Sequence, residues 1–202
     1  MERGRTKPVS RPESQARTRS DLIEATRRVF IREGLEGTTV GKIATEAGYT
    51  TGAVYSNFDG KLDLLFALIE QQSVLRAASR TKVADSLPGD DAKIDALASL
   101  WQATVEDSPE VYQLLIRLRS LSVDDPQAGE RYEELDRRIR ERLALLLDEE
   151  FDLEFAVPVE VVAGAVQSLS NGYAMRQLRQ PDPQVSVEFA RAVKALFRGL
   201  TG

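Results

Sequence analysis

The stretch GKIATEAGYTTGAVYSNFDGK, residues 41–61, decides the fold. Ile43, Ala44 and Ala47 share one helical face, Gly48 interrupts, and Val54 and Phe58 begin a second pattern one turn apart. Gly48 supplies the left-handed conformation that ends a helix, and Thr50 supplies the cap oxygen for the next. The short turn Gly48-Tyr49-Thr50 fixes the crossing of two short helices. Their apolar faces can close on Ile23, Val29 and Phe30 of a preceding helix over 15–33, which Gly34 ends, giving a three-helix core.

With those positions turned inward, Thr50, Thr51, Gly52 and Ala53 stand at the start of the third helix on its solvent side, followed by Tyr55 and Asn57. Small residues at a helix tip let its backbone approach a groove closely. Helix N-termini, hydroxyls and lysines are also the groups that hold a DNA backbone. Thr39, Thr50, Tyr55 and Lys61 bring these together. Each alone is ordinary, as a cap, a surface tyrosine or a surface lysine. The combination at this spacing points to a nucleic-acid interface.

The chain has 202 residues, 42% of them apolar, enough for a sizeable core. It has no cysteine and no histidine, so disulfides, thiolate metal sites and the commonest general base are absent. No metal and no cofactor is expected. Residues 1–20 hold no apolar run of the signal-peptide kind, and no segment has the roughly 18 uninterrupted apolar residues of a membrane span. A cytoplasmic location with no membrane partner is the expectation.

The net charge of −5 is unevenly spread. Residues 1–64 hold 11 Lys and Arg against 9 Asp and Glu, and residues 65–202 hold 16 against 23. Residues 1–14 read as a basic flexible arm, either a solvated tail or a DNA-seeking one. The apolar residues recur at three and four throughout, so the reading is all-α. Four prolines mark helix starts, at Ser108-Pro109, Asp125-Pro126, Val157-Pro158 and Asp182-Pro183. The expected helices are 15–33, 40–47, 51–58, 61–84, 91–107, 109–121, 126–150, 158–179 and 183–199.

The run over residues 22–69 resembles the DNA-binding domain of the TetR family of bacterial transcriptional regulators. The resemblance rests on Phe30, Gly34, Thr38-Thr39-Val40, Ile43-Ala44, Ala47-Gly48, Gly52, Tyr55, Phe58 and Lys61. It implies phosphate contacts from Thr39, Thr50, Tyr55, Asn57 and Lys61, and base-edge contacts from Thr51, Gly52 and Ala53. It further implies nine helices, an N-terminal helix-turn-helix domain over 15–76, and a C-terminal ligand-binding and dimerisation domain over 77–202. The implied partners are a two-fold-symmetric double-stranded DNA operator, a second copy of the chain, and a small effector. Gly41 and Thr51 are shorter than the polar side chains some members present, so DNA shape and the arm are expected to share in discrimination.

Helices over 91–179 would enclose the effector site, with Trp101, Tyr112, Leu115, Leu118, Gln167, Asn171 and Tyr173 as candidate lining residues. Without histidine or cysteine, an apolar or aromatic organic effector is expected rather than a metal. The last two helices carry the candidate dimer surface: Val162, Val166 and Leu169, and Phe189, Val193 and Leu196. A second stripe on the same helix, Val161, Ala165, Ser168 and Gly172, leaves open which face is core and which is interface. Both could serve one subunit's core.

The function read from all this is a ligand-responsive, sequence-specific DNA-binding regulator, a homodimeric repressor released by its effector. Two rivals stand beside it. One is a helical interaction or sensor module that no longer reads sequence. The other is an all-helical enzyme using Glu133, Glu134 or Asp136, though these sit in a charge-dense helix start that reads as a solvated face.

Overall fold

A computed structural model describes residues 11–72 and 87–201, without the side chains of Arg11 and Pro12. All regular structure among these residues is helical, apart from one isolated bridge between Phe155 and Thr201. The chain divides into two compact units, the first ending at Leu68 and the second starting at Ile69. This boundary falls earlier than the expected division after residue 76.

The first unit holds α1 (Arg11–Gly37), α2 (Val40–Ala47), α3 (Thr51–Tyr55) and the start of α4, a helix over residues 61–72. Helix α1 begins at Arg11, so the last residues assigned to the arm belong to the helix, where Glu13 complements the positive end of its dipole. Residues 1–10 lie outside the described residues. Gly34 breaks α1 with φ 68°, as expected of the residue that ends it. The core is Leu22, Ile23, Ala25, Val29 and Phe30 of α1, Ile43 and Ala44 of α2, Val54 and Phe58, and Leu64, Leu65 and Leu68 of α4. Burying each large aliphatic side chain there contributes about 1.5–3 kcal/mol.

The second unit holds α5 (Asp90–Asp107), α6 (Pro109–Asp124), α7 (Pro126–Glu150), α8 (Val159–Arg179) and α9 (Val185–Leu200). Of the helix expected over 61–84, residues 73–84 lie outside the described residues. The proline marks hold at Pro109 and Pro126, and Asp125 caps α7 by accepting from the amides of Gln127 and Ala128. At the other two marks the helix starts later, at Val159 and Val185. Asp182 accepts the Gln184 amide at 2.9 Å, which forms a turn ahead of α9 rather than its first residue.

Helix α5 packs chiefly on α9, and α7 lies between α6 and α8. Their shared core joins Trp101 to Phe189, ring centroids 4.6 Å apart, and Phe197 to Phe151 and Phe155. A polar clasp fixes the α8–α9 connection to α5. Glu106 Oε1 accepts from both Gln102 and Gln177 at 2.8 Å, and Gln102 Oε1 accepts the Ser186 amide at 2.9 Å. Gln102 and Gln177 are buried, and these bonds satisfy them.

The residues expected at the surface for self-association mostly face the chain's own interior. Val162, Val166, Phe189 and Val193 are buried in the chain's own core, and Leu169 and Leu196 pack against it. The outer face of α8 instead carries the second stripe and its continuation: Val161 is 57% and Met175 51% exposed. The six named residues alternate correctly for a buried stripe, and a buried stripe has the same period whichever neighbour covers it.

Among the described residues, no helix is long and apolar enough to cross a membrane.

Candidate nucleic-acid interface and internal cavity

Thr39 caps α2, its hydroxyl oxygen accepting the Lys42 amide at 3.3 Å, and Thr50 caps α3 by accepting the Ala53 amide at 3.1 Å. Capping uses an oxygen lone pair and leaves each hydroxyl proton available to donate to a phosphate oxygen. Gly48 ends α2 at φ 75° and ψ 25°, and the Tyr49 amide reaches back to the Ala44 carbonyl at 2.9 Å. That 6→1 bond sets the turn that aims α3.

Thr50, Thr51, Gly52 and Tyr55 are exposed, Tyr55 by 62%, whereas Val54 beneath them is fully buried. Ala53 and Lys61 are half-buried. Asn57 is half-buried too, and its amide donates to the Ala53 carbonyl at 2.8 Å, closing the end of α3. The eight residues expected at DNA lie between Thr39, the cap of α2, and Lys61, the first residue of α4.

Gly52 is the informative position. A Cβ there would meet only Thr50 Oγ1, at an ordinary 3.7 Å. Its helical backbone needs no glycine, and glycine inside a helix costs about 0.5–1 kcal/mol relative to alanine. The chain's own packing does not require a glycine there, as it does not at Gly41, Gly172 or Gly199; what sets Gly52 apart is its place at the exposed tip of α3.

Several groups that hold this segment in place escape sequence reading. Tyr49 donates its hydroxyl to Asp21 Oδ2 at 2.9 Å, tying the α2–α3 turn to α1. Arg19 lies 4.2 Å over the Phe58 ring and donates to the Asn57 carbonyl at 3.0 Å. Arg28 and Arg32 of α1 both donate to Glu46 of α2, at 2.8 and 3.1 Å, and Lys42 bonds Glu33. Hydrogen bonds from Arg28 and Arg32 hold the Glu46 carboxyl below the usual glutamate range, and Lys42 does the same for Glu33. These partners stand 9 to 39 residues apart and follow no local period.

The second unit contains a partly open cavity of about 280 Å³. Trp101, Tyr112, Leu115, Gln167 and Asn171, all named from sequence, stand in its wall. Leu118 does not; it is fully buried in packing. Nor does Tyr173, whose ring packs against Phe189 at 5.6 Å. Sequence reading missed most of the wall contributed by α7, including Tyr132, Ile139 and Leu143. Burial raises the Tyr132 phenol above its usual range, so it stays a neutral donor. Asp136 accepts from Gln167 Nε2 at 2.9 Å and pairs with Arg140 at 3.4 Å. Glu134 is bound by Arg137 and Arg138 and held below its usual range, opposite to what a general acid requires. Glu133 is exposed.

Among the described residues the architecture is helical, with a capped helix-turn-helix in the first unit and a cavity in the second, the arrangement of a helix-turn-helix protein with a further helical unit. Residues 22–68 match the model of bacterial regulatory proteins of the tetR family. The match is confined to the first unit, whose helix-turn-helix segment is therefore similar to the DNA-binding domain of that family. It is 44% identical over 52 residues to the HTH-type transcriptional regulator SrpR of Pseudomonas putida, a match covering 26% of this chain and spanning only 24% of SrpR's length. A longer match, 25% identical over 175 residues, joins it to the HTH-type transcriptional repressor AcnR of Corynebacterium efficiens, covering 83% of this chain and 86% of AcnR. The fold is that of the transcriptional regulator FadR from Bacillus subtilis, solved in complex with stearoyl-CoA: TM-score 0.69, 16% identity, 90% of this chain and 98% of the other.

Proposed function

We propose that the chain is a ligand-responsive, sequence-specific transcriptional repressor, acting as a homodimer on a two-fold-symmetric operator and released by a small apolar or aromatic organic effector. The observation that carries the DNA-binding part is Gly52, an exposed glycine in a helix that has room for a side chain. It lies among exposed Thr50, Thr51 and Tyr55 at the N-terminal end of α3. Thr51, Gly52 and Ala53 approach base edges, while Thr39, Thr50, Tyr55, Asn57 and Lys61 hold phosphates.

One such head makes too few contacts to hold a specific site at physiological salt, which supports pairing of two heads. The outer faces of α8 and α9, with Val161, Met175 and Val187 exposed, are the apolar surface a second copy would cover. The cavity of the second unit supports the effector. Release requires the effector to favour the arrangement of the dimer that does not fit the operator, because a ligand indifferent to both shifts nothing. Repression follows the description of AcnR, and an acyl group in a protein of this fold follows that of FadR.

Selection of bound sites from a random duplex pool tests the reading. A two-fold-symmetric site with steep salt dependence is expected. Enrichment of no sequence would remove DNA reading from the account.

A further inference from the structure

Trp101 stands in the cavity wall, only 2% exposed. Its Nε1–H is the one buried side-chain N or O atom without a hydrogen-bond partner among the described residues. An indole nitrogen can only donate, and buried tryptophans usually have an acceptor. Asp136, a carboxylate of the same wall, already takes Gln167 and Arg140.

The charged groups of the wall narrow the ligand further. The wall holds one cationic side chain, Arg142, and two carboxylates, Asp136 and Glu149, in a lining that is otherwise mostly aliphatic and aromatic. An anion would meet more negative than positive charge while losing its hydration. A cation brings no acceptor for Trp101. The volume, about 280 Å³, lies at the small end of ligand pockets, which run from roughly 300 to 1,000 Å³.

We infer that the cavity takes a small, uncharged, largely apolar molecule whose carbonyl or ether oxygen accepts the Trp101 N–H. The inference rests on the effector reading only for its regulatory meaning; binding itself is read separately.

Three probes of matched length separate the possibilities: 2-decanone, 2-methyl-1-decene, in which a methylene group replaces the carbonyl oxygen, and nonanoate. Calorimetry on the full chain reads affinity, and the chain's single tryptophan reports on the cavity directly. The ketone is expected to bind at least about tenfold tighter than the alkene and to shift Trp101 emission to the red. Trp101→Phe should bring the ketone down to the alkene's affinity. The comparison of ketone with alkene on the unaltered chain does not depend on that variant folding.

Equal binding of ketone and alkene would overturn the inference, as would tightest binding by nonanoate or binding by none of the three. Equal binding would mean that water or nothing meets the N–H, and it would leave the effector reading standing. Ketone binding with the expected preference but without release of DNA would uphold the inference and overturn the effector reading.

Discussion

In the first unit the groups with capacity to spare are on the outside: Gly52 with room for a side chain, and the capping Thr39 and Thr50 hydroxyls with protons left to donate. In the second unit the corresponding group is inside, the Trp101 N–H beside a largely apolar cavity. On the proposed reading, one unit is completed by a polar surface laid against it and the other by a small molecule taken into it. The two units thus present opposite physical materials, hydroxyls and helix ends in one, aliphatic walls and a buried donor in the other.

The largest effect that would sharpen this contrast comes from the second unit's core. Phe189→Ala should lower stability by about 3–5 kcal/mol, because Phe189 is packed against Trp101 and Tyr173 within one chain. Denaturation followed at several protein concentrations reads the cause. A loss that does not vary with concentration fits burial in the subunit, whereas a loss that grows on dilution would return Phe189 to a dimer surface.

In the first unit, changes at the tip should spare stability and remove function. Tyr55→Phe combined with Lys61→Ala is expected to weaken binding to the selected duplex about a hundredfold and to reduce the salt slope by about one. Fluorescence anisotropy measures both. Unchanged affinity would turn the helix-turn-helix into a scaffold.

A finer test separates the chain's own interest from the DNA's. Gly52→Ala should stabilise the protein by about 0.5–1 kcal/mol while weakening DNA binding about tenfold. Thermal melting and anisotropy on the same sample give the two signs. If both improve, the bare backbone at Gly52 has no role at the groove.

The smallest effect concerns the clamp that holds α2 to α1. The Glu46 carboxyl is held low in the folded protein, so its contribution is fully present above the unfolded glutamate value, about 4.3. It is lost as pH falls through the lower folded value. The melting temperature should therefore drop on acidification below about pH 4, and less so in Glu46→Gln, which has no such proton to take up. Parallel pH profiles for the two proteins would remove Glu46 from the clamp.

The contrast also explains what could be read in advance. The tip of α3 is encoded within a few residues, by a cap, a glycine and a period, so Gly48, Thr50 and Val54 could be assigned from spacing alone. The Tyr49–Asp21 bond and the Arg28–Glu46 pair could not, since their members come from different helices and obey no shared period. In the second unit the α7 boundaries were legible from Asp125-Pro126 onward. Which stripe of α8 faces inward was not, because Val162 and Val161 begin two helical faces that are both apolar enough to be covered. The cavity wall draws on residues from Ile69 to Phe197, and only the folded arrangement brings them together.

The most direct measurement replaces bases in the selected site one group at a time and follows affinity by anisotropy. Uracil for thymine and 7-deazapurines for purines alter only the major groove, and inosine for guanosine alters only the minor groove. The account predicts that major-groove changes in each half-site weaken binding, and that Gly52→Ala blunts that sensitivity. Sensitivity confined to minor-groove changes, or none at all, would contradict the placement of α3 at the bases.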